Sequence, residues 1–122
     1  MELRPLLRDK MNHENGADAQ RLVPWEALNA PFEGSWCVVA PGGATGMHSH
    51  HEYEIFIAVT GEAVLDSENE RCPFRAGDVV HFPPGVAHRV INESDSDFEL
   101  YCIWWDTDMS VKFVDRHQTA EA

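Results

Sequence analysis

Three histidines and one glutamate are the residues of this sequence best suited to bind a metal ion. His48, His50 and His51 lie together, and Glu54 follows shortly afterwards. In an extended strand, residues two positions apart point to the same face, so His48 and His50 should present their imidazoles side by side. Two imidazoles on one face make half of a site for a transition metal ion. The Glu54 carboxylate could reach the same centre if the intervening backbone bends.

A further ligand must come from another part of the chain, and His88 is the natural candidate. It follows the turn formed by Pro83, Pro84 and Gly85. The proline pair fixes the backbone and Gly85 permits a positive φ angle, so this turn can present the next strand's first residue at a defined angle. The sequence therefore predicts a metal site assembled from two separate segments.

The elements that must position these residues are predicted to be short strands. From Ser35 onward, apolar runs alternate with turns rich in Gly, Pro and Asn, and no convincing long helix is indicated. Before that point, residues 8–20 are polar, contain Asn15-Gly16 and are predicted to be loop or turn, while Pro24 could start a single helical turn. The predicted strands are 36–40, 48–50, 54–60, 62–66, 72–75, 78–82, 87–92 and 98–106, with room for one more at 111–114.

The two segments together resemble the paired motifs of the cupin superfamily. The first motif, G-x5-H-x-H-x3-E-x6-G, runs from Gly42 to Gly61, and the second, G-x5-P-x-G-x2-H-x3-N, runs from Gly77 to Asn92. The resemblance implies an all-β fold, the cupin jelly-roll β-barrel or double-stranded β-helix. It also implies one divalent metal ion inside the barrel, with zinc or iron expected first and manganese, nickel and copper as alternatives. The ligands that it implies are His48, His50, Glu54 and His88.

The chain length of 122 residues indicates a single domain. We expect an N-terminal arm over residues 1–33 that packs on the barrel or on a partner subunit. The cupin barrel is expected over residues 34–116, followed by a frayed tail at 117–122. Three cysteines without a C-x-x-C pair argue against a disulfide framework and predict reduced, mostly buried thiols.

Charge and hydropathy narrow the classes of partner. The chain has 21 acidic and 9 basic residues, a formal net charge of −12, which disfavours contact with a nucleic acid backbone. No apolar run approaches the length of a membrane span, and the N-terminus lacks the features of a signal peptide. A cytoplasmic location without membrane contact is therefore expected.

Residues around the metal site are harder to assign. Phe56, two positions beyond Glu54, should face inward and narrow the cavity. The aromatic strand at 98–106 should fill the barrel with one face and meet a second sheet, a dimer partner or another domain with the other, and we expect a homodimer. A second interpretation places part of that strand in the pocket, and the facing of His81 depends on strand register. The residues predicted to contact substrate are Phe56, His81, Tyr101 and Trp105.

Four protein ligands leave a coordination position open for a small-molecule substrate, water or dioxygen. We expect a metal-dependent enzyme that acts on a small polar metabolite. The alternatives are an iron-dependent dioxygenase or isomerase-type cupin and a non-catalytic cupin that binds a small molecule, because the fold does not select the reaction.

A narrower resemblance links residues 48–56 and 103–106 to the cupin part of bacterial hydrazine synthetases. That resemblance implies formation of an N–N bond from an amino-acid ester of an N-hydroxylated amine. It also implies zinc as a Lewis acid and a tRNA-synthetase-like partner enzyme.

Overall fold

The computed structural model describes residues 1–121, with side chains described for residues 1–115. A short 3-10 turn at Arg8–Lys10 precedes the strands, and a helix follows them. In chain order the elements are β1 (Asn12–Glu14), β2 (Ala17–Arg21), β3 (Glu33–Val39), β4 (Tyr53–Thr60), β5 (Glu62–Ser67), β6 (Glu70–Arg75), β7 (Val79–Phe82), β8 (Arg89–Ile91), β9 (Phe98–Trp105) and α1 (Thr107–Glu121).

The strands form two antiparallel sheets that enclose the core. One sheet has six strands in the order β1-β2-β3-β9-β4-β7, and the other has three in the order β6-β5-β8. Single bridges between Ala44 and Ile91 and between His48 and His88 tie the irregular segment after β3 to the smaller sheet. This arrangement confirms the predicted all-β cupin jelly-roll fold.

Alternation along β9 explains how the core is filled. Phe98, Leu100 and Cys102 are buried, and Trp104 packs against them, whereas the residues between them are only half-buried. Because successive side chains of a strand point to opposite faces, one aromatic run supplies both the interior and the outer surface of the larger sheet. Other large core side chains come from both sheets: Val39, Phe56, Phe74, Phe82 and Val90.

The prediction of loop or turn for residues 8–20 was wrong where the chain forms strands β1 and β2. Asn15 and Gly16 do form a turn, with φ angles of 50° and 83°, but it joins strands β1 and β2 into a hairpin. Two-residue Asn-Gly turns suit hairpins because their left-handed φ angles match strand twist. β2 then pairs with β3, so the hairpin extends the six-stranded sheet. In place of the helical turn predicted from Pro24, the chain forms a turn without helix, in which the Leu28 N–H donates to the Trp25 carbonyl.

The prediction of a further strand at 111–114 was also wrong, because those residues belong to α1. Asp106 favours a helix start here, since its carboxylate accepts a hydrogen bond of 2.8 Å from the Met109 N–H. The same contact lowers the pKa of Asp106. A frayed tail was predicted at 117–122. Only the backbone of α1 up to Glu121 is described there, and the rest of this segment lies outside the described residues. Among the described residues, no helix is long and apolar enough to cross a membrane.

Candidate metal centre

Two irregular segments and one regular strand bring the predicted ligands together. His48 and His88 exchange backbone hydrogen bonds of 3.3 and 3.0 Å, which places both residues side by side. The Pro-Pro-Gly turn also holds His50, because the Gly85 N–H donates to the His50 carbonyl at 2.9 Å. Glu54 lies near the start of β4 and is buried. The strand predicted at 48–50 is therefore reduced to one bridge, yet both histidines still face the same centre.

The four ligand atoms form a compact group. One donor atom from each of the four residues lies within 4.8 Å of all the others. The Glu54 Oε1 atom lies 3.0 Å from Nε2 of His50 and 3.0 Å from Nε2 of His88. The ring of His88 stacks on Phe82, with centroids 4.1 Å apart and an interplanar angle of 10°. The site is thus fixed by packing on its buried side.

Backbone carbonyls assign the tautomer of all three imidazoles. The Nδ1 atoms of His48, His50 and His88 lie 2.9, 3.1 and 2.9 Å from the carbonyls of residues 46, 52 and 86. An Nδ1–H that donates to a carbonyl leaves Nε2 with an unshared lone pair. With that tautomer, the Nε2 atoms of His50 and His88 face the Glu54 carboxylate with their lone pairs, an arrangement that a cation would stabilise. The donor set therefore fits a divalent metal ion, as predicted, and does not choose among metals.

The β1–β2 turn presses against the segment that carries His48. The Gly46 N–H donates to the Asn15 carbonyl at 3.2 Å, and the Asn15 side-chain amide lies 3.3 Å from His48 Nδ1. A half-turn of that amide would offer its oxygen as a second acceptor for Nδ1–H. Asn15 was identified from sequence only as a turn residue, since contacts between distant segments leave no mark in local spacing.

Replacement of Asn15 by alanine is expected to weaken metal binding about 10-fold, because residues that orient a metal-binding histidine typically contribute 10- to 100-fold to affinity. The affinity can be measured by competition with a chelating dye. Asn69→Ala, in the exposed β5–β6 turn, removes the same side chain from a position outside the cavity lining and serves as the matched control. Equal affinities in both variants would show that Asn15 has no part in positioning His48.

The ligands open onto a cavity of about 350 Å³. His48, His50, Glu54 and Phe56 are among the residues that line it. Much of the remaining wall is apolar, with additional thiol and hydroxyl groups. The lining also includes Ala17, Ala19, Ser35, Cys37, Val90, Leu100, Cys102 and Trp104.

The hairpin contributes an ion pair to this cavity that sequence reasoning missed. Arg21 donates a hydrogen bond of 2.9 Å to Glu14, and its guanidinium lies 5.7 Å from the centre of the Trp104 ring. The bond to Glu14 raises the pKa of Arg21. Among the described residues, Arg21 is the only arginine or lysine that lines the cavity. The cavity wall therefore contains a positively charged side chain, Arg21, in addition to the metal-binding residues.

Three residues predicted to contact substrate lie elsewhere. His81, Tyr101 and Trp105 occupy the outer face of the six-stranded sheet, because their neighbours along each strand point into the barrel. Tyr53 stacks on His81 and on Trp105, with centroids 6.0 and 5.8 Å apart. Their assignment to the pocket is therefore corrected by strand register. The homodimer expected to use such a face stays a prediction.

Comparison with known families agrees with this geometry. The family profile described as the cupin domain matches residues 35–104. This chain is a cupin. The match begins after the β1–β2 hairpin, so the ion pair and the Asn15 contact come from a part of the chain that the profile does not include.

Two solved structures resemble this cupin over nearly their whole length. A cupin 2 conserved barrel domain protein from Salinispora arenicola CNS-205 is 56% identical, with a TM-score of 0.91 over 96% of this chain and 98% of that one. The plu4264 protein from Photorhabdus luminescens is 41% identical, with a TM-score of 0.90 over 95% of this chain and 97% of that one.

A curated relative is more distant. The oxalate-binding protein of Thermotoga maritima is 33% identical over 64 residues, which are 52% of this chain and 53% of that protein. The match thus spans about half the length of that relative.

Proposed function

We propose that this cupin is an enzyme that uses one divalent metal ion to act on a small polar metabolite. The observation that carries the proposal is the convergence of three imidazoles and one carboxylate beside a cavity of about 350 Å³. A divalent ion held by these residues would supply Lewis-acid polarisation of a substrate oxygen. The cavity volume limits the substrate to a small molecule.

The other residues of the cavity have separable tasks. Phe56, Leu100 and Trp104 exclude water from the bound molecule, which strengthens every electrostatic interaction inside. Arg21 can orient an anionic group of the substrate by exchanging its partner Glu14 for that group. A metabolite with one oxygen donor for the metal and a second, anionic group for Arg21 would bind to both.

Small carboxylates are the first substrates to test. The similarity to an oxalate-binding protein supports this class, as does the cationic Arg21. The experiment adds oxalate and longer dicarboxylates to protein loaded with Zn²⁺, Mn²⁺ or Fe²⁺, and follows binding by calorimetry and products by mass spectrometry. Metal-dependent conversion of one of them is the expected result. Failure of the whole panel to bind would overturn the carboxylate assignment.

Binding without conversion would favour the second candidate, a non-catalytic small-molecule-binding cupin, which the name of the Thermotoga relative also supports. Oxygen uptake with the Fe²⁺ form would instead indicate a dioxygenase, and rearrangement without uptake an isomerase. The hydrazine synthetase assignment, with its synthetase-like partner, rests on sequence resemblance alone, and neither close structural relative is described in those terms. Formation of an N–N bond from an amino-acid ester of an N-hydroxylated amine would test it.

A further inference from the structure

Two cysteines face each other in the wall of the same cavity. Cys37 on β3 and Cys102 on β9 have their Sγ atoms 3.6 Å apart, and both residues line the cavity. The strands pair so that Ser35 lies opposite Cys102 and Cys37 lies opposite Leu100, which makes the thiols diagonal neighbours on the inward face. The third cysteine, Cys72 on β6, is exposed outside this pair.

The two thiols have unequal surroundings. Cys102 is buried, with 6% of its surface exposed, and its S–H donates to the Cys37 sulfur, while Cys37 is only half-buried. This hydrogen bond lowers the pKa of Cys37, against burial and the nearby Glu54 and Glu14, and it raises the pKa of Cys102. Cys37 therefore has the nucleophilic sulfur that faces the cavity. Cys102 has the buried thiol, which can attack the Cys37 sulfur once that sulfur has been oxidised.

We propose that Cys37 and Cys102 form a dithiol site for small peroxides that enter the cavity. The Cys37 sulfur attacks one peroxide oxygen, an S–O bond forms, the O–O bond breaks, and the departing oxygen leaves as water or alcohol after taking a proton. The Cys102 thiol then loses its proton while its sulfur attacks Cys37, and the hydroxyl of the sulfenic acid leaves as water. Two thiols are oxidised to one disulfide, and one peroxide is reduced by two electrons.

A disulfide here would change the floor of the cavity. Cys102 lies directly opposite Phe56 in the β4–β9 pair, and Trp104, next on that face, lies opposite the metal-binding residue Glu54. Covalent linkage of β3 to β9 would therefore fix the strand beside the metal site. The two thiols belong to the chain itself, so their reaction with peroxide does not depend on the proposed enzyme activity.

The test treats purified protein with hydrogen peroxide in metal-free buffer and follows intact mass and peptide linkage. In Cys72→Ser, which keeps only the facing pair, we expect loss of two hydrogen atoms per chain, reversal by a reductant, and a peptide linking Cys37 to Cys102. In Cys102→Ser, the Cys37 sulfenic acid should persist and react with dimedone. The wild-type protein offers Cys72 as an internal control.

Two results would overturn the dithiol assignment. One is that Cys37 and Cys102 stay reduced at peroxide concentrations that oxidise Cys72. The other is that disulfides form only between chains through Cys72. Because wild-type protein suffices for both observations, poor folding of a variant would not obscure the outcome.

Discussion

His88→Ala is expected to lower the affinity for a divalent metal by about 100-fold or more, since loss of a direct ligand should exceed the 10- to 100-fold cost of losing a residue that merely orients one. His88 is 1% exposed, and its Nε2 lies 3.0 Å from the Glu54 carboxylate. No other described histidine beyond His48 and His50 belongs to the cluster, so none can replace it. Metal titration of the purified variant measures the loss.

The control for His88→Ala separates ligand loss from destabilisation. Removing a buried ring that packs on Phe82 leaves a cavity, which we expect to lower the free energy of unfolding by about 2–5 kcal/mol, as for other large-to-small core substitutions. The variant should therefore be titrated well below its melting temperature. His81→Ala removes an imidazole from the outer face and should bind metal like the wild type. A folded His88→Ala protein with unchanged metal affinity would contradict the four-ligand site.

Gly16→Ala is expected to cost both stability and metal affinity. Gly16 has a φ angle of 83°, and an added Cβ would lie 2.2 Å from the Ala44 carbonyl oxygen. The left-handed backbone alone costs an alanine about 1–2 kcal/mol. Because the obstructing atom is backbone, the hairpin must also move away from the segment that leads to His48. We expect the variant to lose at least about 10-fold in metal affinity, the loss typical when a histidine ligand is poorly oriented.

Gly77→Ala is the matched control for this effect. Gly77 has a similar φ angle of 97°, but an added Cβ there would meet nothing within 4 Å. Denaturant unfolding should therefore show a lower free energy of unfolding for both variants, because both place alanine in a left-handed backbone conformation. Only Gly16→Ala should show a further decrease in that free energy and weaker metal binding. If the two variants behave alike, contact between the hairpin turn and the His48 segment does not support the site.

The sequence predicted the metal ligands and the fold class because both are encoded locally. Two short motifs place His48, His50 and Glu54 in one segment and His88 after a rigid turn, and alternation along β9 separates core from surface. The position of His81 could not be derived in the same way. Its facing depends on the register between β4 and β7, which no spacing within a single strand determines.

The N-terminal part of the site was missed for a related reason. Polar residues 8–20 suggested a loop, yet the β1–β2 hairpin, which ends at Arg21, brings Glu14 and Arg21 into the cavity wall. A three-residue edge strand and a strand that buries only Ala17 and Ala19 carry little hydrophobic signal, and the Asn-Gly dipeptide alone did not establish a hairpin. The Cys37–Cys102 contact likewise arises from pairing between β3 and β9, which are far apart in sequence.

X-ray absorption spectroscopy of the zinc-loaded protein tests the metal centre most directly. Imidazole and carboxylate ligands give Zn–N and Zn–O distances of about 2.0–2.2 Å, whereas cysteine gives a Zn–S distance of about 2.3 Å. We predict one zinc ion per chain, a shell of nitrogen and oxygen only, and the multiple-scattering pattern of three imidazoles from His48, His50 and His88. A sulfur shell would place the metal on cysteine thiolates and contradict the proposed site.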